Sequence, residues 1–204
     1  MSGRRRVVDR LRRDRLPVDT VALARYLIGK VLVHDLRGER VSGRIVETEA
    51  YPIGDSSCHA YRGRTERNRS LFLEHGRSYV YFIYGTWFCM NVSSEEAGVG
   101  AGVLLRALEP LVGIEVMQRR RGTNRLHDLT RGPGRLAEAM RIARAHDGLD
   151  LCTDRRLFLA ETDHPAGEIG TTVRIGLSRE ADRPLRFFEC GSPFVSGPKR
   201  LLCN

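Results

Sequence analysis

Apolar positions first gather into a helical stripe. Val21, Leu23, Ala24 and Leu27 recur at helical spacing, Asp19 or Thr20 stands where a cap is needed, and Gly29 follows as a stop. The period then drops to two. Lys30 to Asp35 reads as a strand, Arg37-Gly38-Glu39 as a turn, and Val41 to Ala50 as the returning strand. Residues 52–77 lose the pattern and are rich in glycine and arginine, which predicts an ordered loop region with a short helix. Residues 79–84 (YVYFIY) and 87–92 (WFCMNV) resume it as aromatic strands, joined in a hairpin at Gly85-Thr86. Beyond them the pattern predicts a strand over Ala101 to Ala107 and a helix over Leu111 to Arg120. A second helix opens at Gly132-Pro133-Gly134 and runs to about Ala145. Short strands follow at Leu157 to Leu159, Thr171 to Ile175 and Leu185 to Phe188. Helices and antiparallel strands thus mix in one α/β (α+β) domain. No repeat is present, and no GxGxxG or GxxxxGK[ST] nucleotide loop.

A chain of 204 residues with 41% hydrophobic content suits one such domain. Charge changes the picture further. The net charge is +9, and nearly all of the positive charge is arginine, the only lysines being Lys30 and Lys199. The guanidinium fork matches phosphate oxygens, so nucleic acid is the leading partner class. Arg4, Arg5, Arg6, Arg10, Arg12, Arg13 and Arg15 against Asp9 and Asp14 mark residues 1–15 as a basic arm ahead of a domain over 16–204. The five cysteines are odd in number and show no CxxC spacing, which argues against a disulfide framework and a zinc ribbon. With the cysteines, the lack of a secretory h-region and of a membrane-spanning stretch favours a reduced, cytoplasmic setting, and a monomer is expected because no exposed apolar surface is identifiable in the sequence.

Two constellations carry candidate chemistry. In IVETEAY (45–51), alternation sends Glu47, Glu49 and Tyr51 to one side and Val46, Thr48 and Ala50 to the other. Paired carboxylates can divide base and structural roles, and the plain alternative is a solvated sheet face with a salt-bridge partner. His59, Arg62, Arg64, Arg67, Asn68 and Arg69 follow in the loop; they form no HExxH and no deaminase zinc set. The second constellation is SYVYFIYGTWFCMNV (78–92), with Tyr79, Tyr81 and Ile83 on one face and Val80, Phe82 and Tyr84 on the other. Tyrosines stack on bases without sequence preference, and a ring beside Gly85 can wedge into a duplex. The alternative is ordinary strand propensity and core packing.

IVETEAY, YVYFIYG with FCMNV after it, VLLRALEP (103–110) and RFFECGSPFVS (186–196) together resemble the 3-methyladenine DNA glycosylases of the alkyladenine glycosylase family, over roughly residues 16–200. The resemblance implies a compact domain with a curved antiparallel sheet, surrounding helices and no bound cofactor. It gives Glu49 the role of activating the attacking water, Tyr51 and Tyr81 that of sandwiching a flipped base, and His59 that of lining the same pocket. Asn91 would exclude normal guanine, Arg106 would lie near the water and sugar-phosphate, and Tyr84 would intercalate in place of the extruded nucleotide. Thr86 stands where vertebrate relatives carry a bulkier apolar residue, and the loop from Ile53 to Cys58 is shorter than theirs.

The implied reaction is hydrolysis of the N-glycosidic bond of 3-methyladenine or 7-methylguanine in duplex DNA, leaving an intact abasic site in base-excision repair. Cationic bases leave easily and suit an aromatic slot. Neutral lesions such as hypoxanthine need a proton that no dedicated acid supplies, so weaker or absent activity on them is expected. Neither Lys30 nor Lys199 falls in a motif with Glu49, which argues against a lyase step. The rival readings are a noncatalytic damage-binding protein on the same scaffold, a hydrolase of free nucleosides or sugars, and an RNA-binding protein.

Overall fold

A computed structural model describes residues 9–36, 38–83 and 85–198 of the chain. One curved antiparallel sheet organises it. Its strands are β1 (Val31–Leu36), β2 (Glu39–Tyr51), β3 (Ser78–Ile83), β4 (Trp87–Ser93), β5 (Gly102–Val112), β6 (Leu157–Ala160), β7 (Ile169–Thr172) and β8 (Arg186–Glu189). They lie in the order β3-β4-β5-β2-β1-β6, with β8 paired to both β2 and β7. Helices α1 (Thr20–Leu27), α2 (Ile114–Arg121) and α3 (Pro133–Ala139) flank the sheet.

The long strand β2 is the axis on which the site is built. β5 follows one of its edges from Ser42 to Tyr51, while the other edge is shared: β1 covers Glu39 to Arg44, and β8 covers Glu47 to Glu49. The acidic half of β2 is therefore enclosed by β5 and β8. Two residues fall out of register here. Ile45 faces Leu108, Glu47 faces Ala107 and Thr48 faces Leu105, so Val46 on β2 and Arg106 on β5 are each an extra residue. Such bulges re-aim side chains. Val46 accordingly does not join Ala50, as strict alternation predicts; it packs with Ala107, Phe188 and Phe194, apart from the main core that holds Ala50.

That core lies between the sheet and the helices. α1 begins where Asp19 accepts the Ala22 N–H at 2.7 Å, and it buries Leu23, Ala24 and Leu27 against Ile45, Leu105 and Leu108. Thr48 fixes the contact by donating its hydroxyl to the Ala24 carbonyl at 2.9 Å.

Several predicted boundaries shift, each for a local reason. Leu111 and Val112 end β5 rather than opening a helix. Gly113 then turns with φ +75°, where a Cβ would meet the Arg40 carbonyl at 2.5 Å, and α2 starts only at Ile114. α3 stops at Ala139, not Ala145. Arg141 takes the left-handed conformation at φ 54°, and the Ile142 N–H returns to the Ala137 carbonyl at 2.7 Å, which closes the helix end.

The segment expected as an arm is packed on the domain from Asp9 onward. Arg10 bridges to Ala160 and lays its guanidinium 4.0 Å from the Phe158 ring, Leu11 is buried, and Arg13 pairs with Asp150 at 2.6 Å. Among the described cysteines, Cys58, Cys89 and Cys152 are free and Cys190 is disulfide-bonded. Among the described residues no helix is long and apolar enough to cross a membrane.

Candidate active site

A cavity of about 630 Å³ opens between the β3–β4 hairpin, the end of β2 and β5. That volume suits a small heteroaromatic ligand. Two unlike walls enclose it.

The first wall follows from strand alternation in β3. Val80 enters the main core and Phe82 stays exposed, while Tyr79, Tyr81 and Ile83 turn to the cavity and pack with Cys58, Leu71 and Cys89. Tyr79 and Tyr81 stack with ring centroids 5.3 Å apart. His59 meets Tyr81 edge-on at 4.5 Å, and its Nδ1 shares a 2.9 Å hydrogen bond with the Tyr79 hydroxyl. A buried asparagine holds this histidine in place. Asn68 donates to the carbonyls of His59 and Gly63 at 2.8 and 3.0 Å and accepts the Thr65 N–H at 2.6 Å, which closes the loop on itself. Burial keeps this wall neutral. It raises the Tyr81 hydroxyl's pKa, raises that of Tyr79 to about 12, and lowers that of His59, with the charge of Arg67 adding to the last effect.

The second wall is charged. The Glu49 side chain has no exposed surface, and its three partners among the described residues are all donor groups. The Tyr51 hydroxyl donates to Oε2 at 2.9 Å, the Ile175 N–H donates to Oε1 at 2.8 Å, and Arg106 Nη1 lies 3.2 Å from Oε1. Tyr51, Ile175 and Arg106 all line the cavity; Glu49 stands directly behind them. Burial by itself disfavours a charged Arg106, but Glu49 and Glu47 outweigh it and raise its pKa. Burial, together with the Glu49 charge, raises the pKa of the Tyr51 hydroxyl and keeps it a donor.

The loop that presents Ile175 is fixed by a second buried ion pair. Arg174 and Asp55 meet at 2.6 Å with both side chains fully buried. Arg174 also donates to the Ala50 carbonyl at 3.0 Å, and its guanidinium lies 4.6 Å from the centre of the Tyr51 ring. On the opposite side, Gly132-Pro133-Gly134 brings the start of α3 against Trp87. A Cβ on Gly134 would sit 3.1 Å from that ring, a contact tight enough that Trp87 would have to yield by a few tenths of an ångström.

Of the residues singled out from sequence, Tyr51, His59, Tyr81, Asn91 and Arg106 line the cavity, Glu49 is one layer behind, and Tyr84 lies outside the described residues. Tyr79, Cys89, Trp87, Ile175 and the arginines 121, 131 and 135 also line it without having been assigned a role. Tyr79 was legible as the same-face neighbour of Tyr81. The Ile175 contribution is a backbone N–H and leaves no mark in sequence. Among the described residues no group of three or more His, Cys, Asp or Glu is gathered in a way that could hold a metal ion.

An aromatic slot backed by a buried carboxylate and guanidinium defines a site that can hold a flat ring beside an acid. Comparison with known proteins narrows this class. The family model described as Methylpurine-DNA glycosylase (MPG) matches residues 14–193. A Mesorhizobium japonicum protein named as a 3-methyladenine DNA glycosylase is 61% identical over 93% of this chain and 91% of its own length. Proteins of the same name from Paraburkholderia phytofirmans and Chlorobaculum tepidum are 54% and 46% identical, over 94% and 92% of this chain and 90% of each relative. The chain belongs to the methylpurine-DNA glycosylase family.

Proposed function

We infer that this protein excises alkylated purines, 3-methyladenine and 7-methylguanine among them, from duplex DNA by hydrolysing the N-glycosidic bond. The observation that carries this reading is the placement of Glu49: its carboxylate is gripped by three groups that themselves line the aromatic cavity.

The extruded base enters beside Tyr51, Tyr81 and His59, with Asn91 opposing the exocyclic amine of a normal guanine. Arginines at 121, 131 and 135 and the net charge of +9 favour the phosphate backbone. A carboxylate has about four acceptor positions. Tyr51 and Ile175 each donate one hydrogen bond to Glu49, on Oε2 and Oε1, and Arg106 pairs with Oε1, so Oε2 keeps the capacity to accept from a water. As the C1′–N bond breaks, positive charge develops on the sugar, and the Glu49 carboxylate stabilises it. The water oxygen bonds to C1′, its proton passes to Glu49, and the cationic base leaves as a neutral molecule. No acid is needed for that leaving group. Among the described residues no Asp or Glu side chain itself lines the cavity, which supports slow release of neutral hypoxanthine.

The product is an intact abasic site. A lyase step needs an amine; Lys30 is held by Glu161 at 2.7 Å and does not line the cavity, while Lys199 lies outside the described residues. The test is release of free base from methylated duplex DNA. Wild type should release it and Glu49→Gln should not, with duplex binding retained. Equal behaviour of the two proteins would favour the noncatalytic damage-binding reading, and a borohydride-trapped adduct would overturn the monofunctional one.

A further inference from the structure

Behind Glu49 lies a second carboxylate that the reaction does not use. Glu47 has no exposed surface and no place in the cavity lining, yet it accepts three hydrogen bonds. Its Oε1 accepts from Arg106 Nε at 2.9 Å and from Arg186 Nε at 2.7 Å, and its Oε2 accepts the Ser196 N–H at 2.7 Å. Arg186, also fully buried, donates a further bond to the Ser196 carbonyl at 2.7 Å and lies 4.8 Å from the Phe188 ring centre. Arg106 completes the network with Nη2 on the Ser196 hydroxyl at 3.3 Å.

Each guanidinium nitrogen of Arg106 thus has a separate partner: Nε on Glu47, Nη2 on Ser196 and Nη1 on Glu49. This division matters because arginine prefers to pair with a carboxylate through two parallel bonds. A two-pronged grip on Glu49 would occupy the Oε2 position that a water needs. Glu47 holds Arg106 by its Nε edge, so only one nitrogen reaches Glu49. Charge points the same way. Glu47, Glu49, Arg106 and Arg186 form a buried set with two charges of each sign, and without Arg186 the two acids would compete for Arg106. The fold builds this deliberately: the extra residue at Arg106 and the β8 pairing that sets Arg186 opposite Glu49 bring both guanidiniums to the acidic stretch of β2.

We propose that Glu47 and Arg186 are positioning residues for base release, acting through Arg106 to leave Glu49 able to take a proton from water. The proposal rests on the glycosylase reading. It predicts that Glu47→Gln and Arg186→Met lose chemistry while keeping affinity. Single-turnover release of 7-methylguanine, per folded molecule by circular dichroism, should fall roughly tenfold or more in each, since small misplacements of a reacting group are costly. Affinity for the same methylated duplex, measured in the Glu49→Gln background, should stay within about twofold, because neither residue lines the cavity. The double variant should be no slower than the worse single, as expected of residues acting in one chain. Arg186→Lys, which keeps the charge but not the fork, should recover part of the rate.

If these buried variants do not fold, Ser196→Ala removes one hydroxyl and leaves the backbone bonds, and it should still slow release several-fold with unchanged affinity. Wild-type rates in folded Glu47→Gln and Arg186→Met, or losses that multiply in the double variant, would overturn the proposal. So would a wild-type rate in Ser196→Ala where only that variant folds. A wild-type protein that releases no base would instead overturn the glycosylase reading itself.

Discussion

The two walls of the cavity solve the cost of burial in opposite ways. On the hairpin side, Tyr79, Tyr81, His59 and Cys89 all carry groups that can ionise, and burial moves each toward its neutral form. On the β2 side, Glu47 and Glu49 have no exposed surface, and the guanidiniums of Arg106 and Arg186 meet them at 2.7–3.2 Å. Removing one partner from such a set leaves an uncompensated charge, which typically costs 3–5 kcal/mol. The difference separates two tasks. A neutral aromatic wall can bind a flat base by stacking. A charged wall whose members are fixed before the ligand arrives can stabilise charge that develops during reaction. The comparison therefore predicts which step each wall controls.

The sharpest break falls on Arg106. Arg106→Lys keeps a positive charge but loses the planar fork that spreads its donors over Glu47, Glu49 and Ser196. Single-turnover base release should drop by roughly 10²–10³, the usual loss when an oriented donor is removed from a reacting centre. Duplex affinity should change far less. A comparable loss of affinity and rate would show that this wall also binds, and the division of labour would fail.

A smaller and opposite effect belongs to Tyr81. It stacks on Tyr79 and touches His59, with no contact to Glu49 among the bonds described. Base–aromatic stacking is worth about 1–3 kcal/mol, so Tyr81→Leu should weaken binding of the methylated duplex about tenfold or somewhat more. The release rate at saturating enzyme should hold nearly constant. Titration by fluorescence anisotropy alongside single-turnover kinetics separates the two quantities.

The same contrast explains what could be read from the chain. The hairpin wall was legible because β3 keeps strict period two: Tyr79, Tyr81 and Ile83 face one way, and Val80 enters the core as the alternation demands. α1 was legible for a similar reason, since Asp19 caps it and its apolar stripe is regular. The charged wall was only half legible. ETE put Glu47 and Glu49 on one side, but the extra residues at Val46 and Arg106 have no sequence signature, Arg186 reaches the site from 139 positions away through β8 pairing, and Ser196 reaches it from 149 positions away on the segment after β8. The ends of α2 and α3 were misplaced because Gly113 and the non-glycine Arg141 adopt left-handed backbone that hydrophobic periodicity does not register. The packing of residues 9–15 was hidden by their arginines, which read as solvated but include the Arg13–Asp150 pair beside buried Leu11.

The finest test of the neutral wall is its one imidazole. His59 has its pKa lowered from the ordinary value near 6.5, chiefly by burial and secondarily by Arg67, so it is neutral at pH 7 and gains its proton only at more acidic pH. The sign follows from linkage: the unfolded chain takes the proton first, so the stability that neutral His59 contributes is present above about pH 6.5 and is lost as pH falls through its folded value. A proton there also places a cation 4.5 Å from the Tyr81 ring, inside the wall proposed to receive the base. A lesion that is itself cationic should feel this and a neutral one should not. In the Glu49→Gln background, the ratio of affinities for duplexes carrying 7-methylguanine and hypoxanthine should fall a few-fold between about pH 7 and pH 5, the scale expected of one like-charge contact in a partly screened site. The common stability loss cancels in that ratio. Replacing His59 with Gln should flatten the dependence while leaving the neutral-pH ratio close to its starting value. A ratio that does not move with pH in the histidine-bearing protein would mean that the cation is screened from the base. Neutrality of this wall would then be a by-product of burial with no part in choosing the substrate.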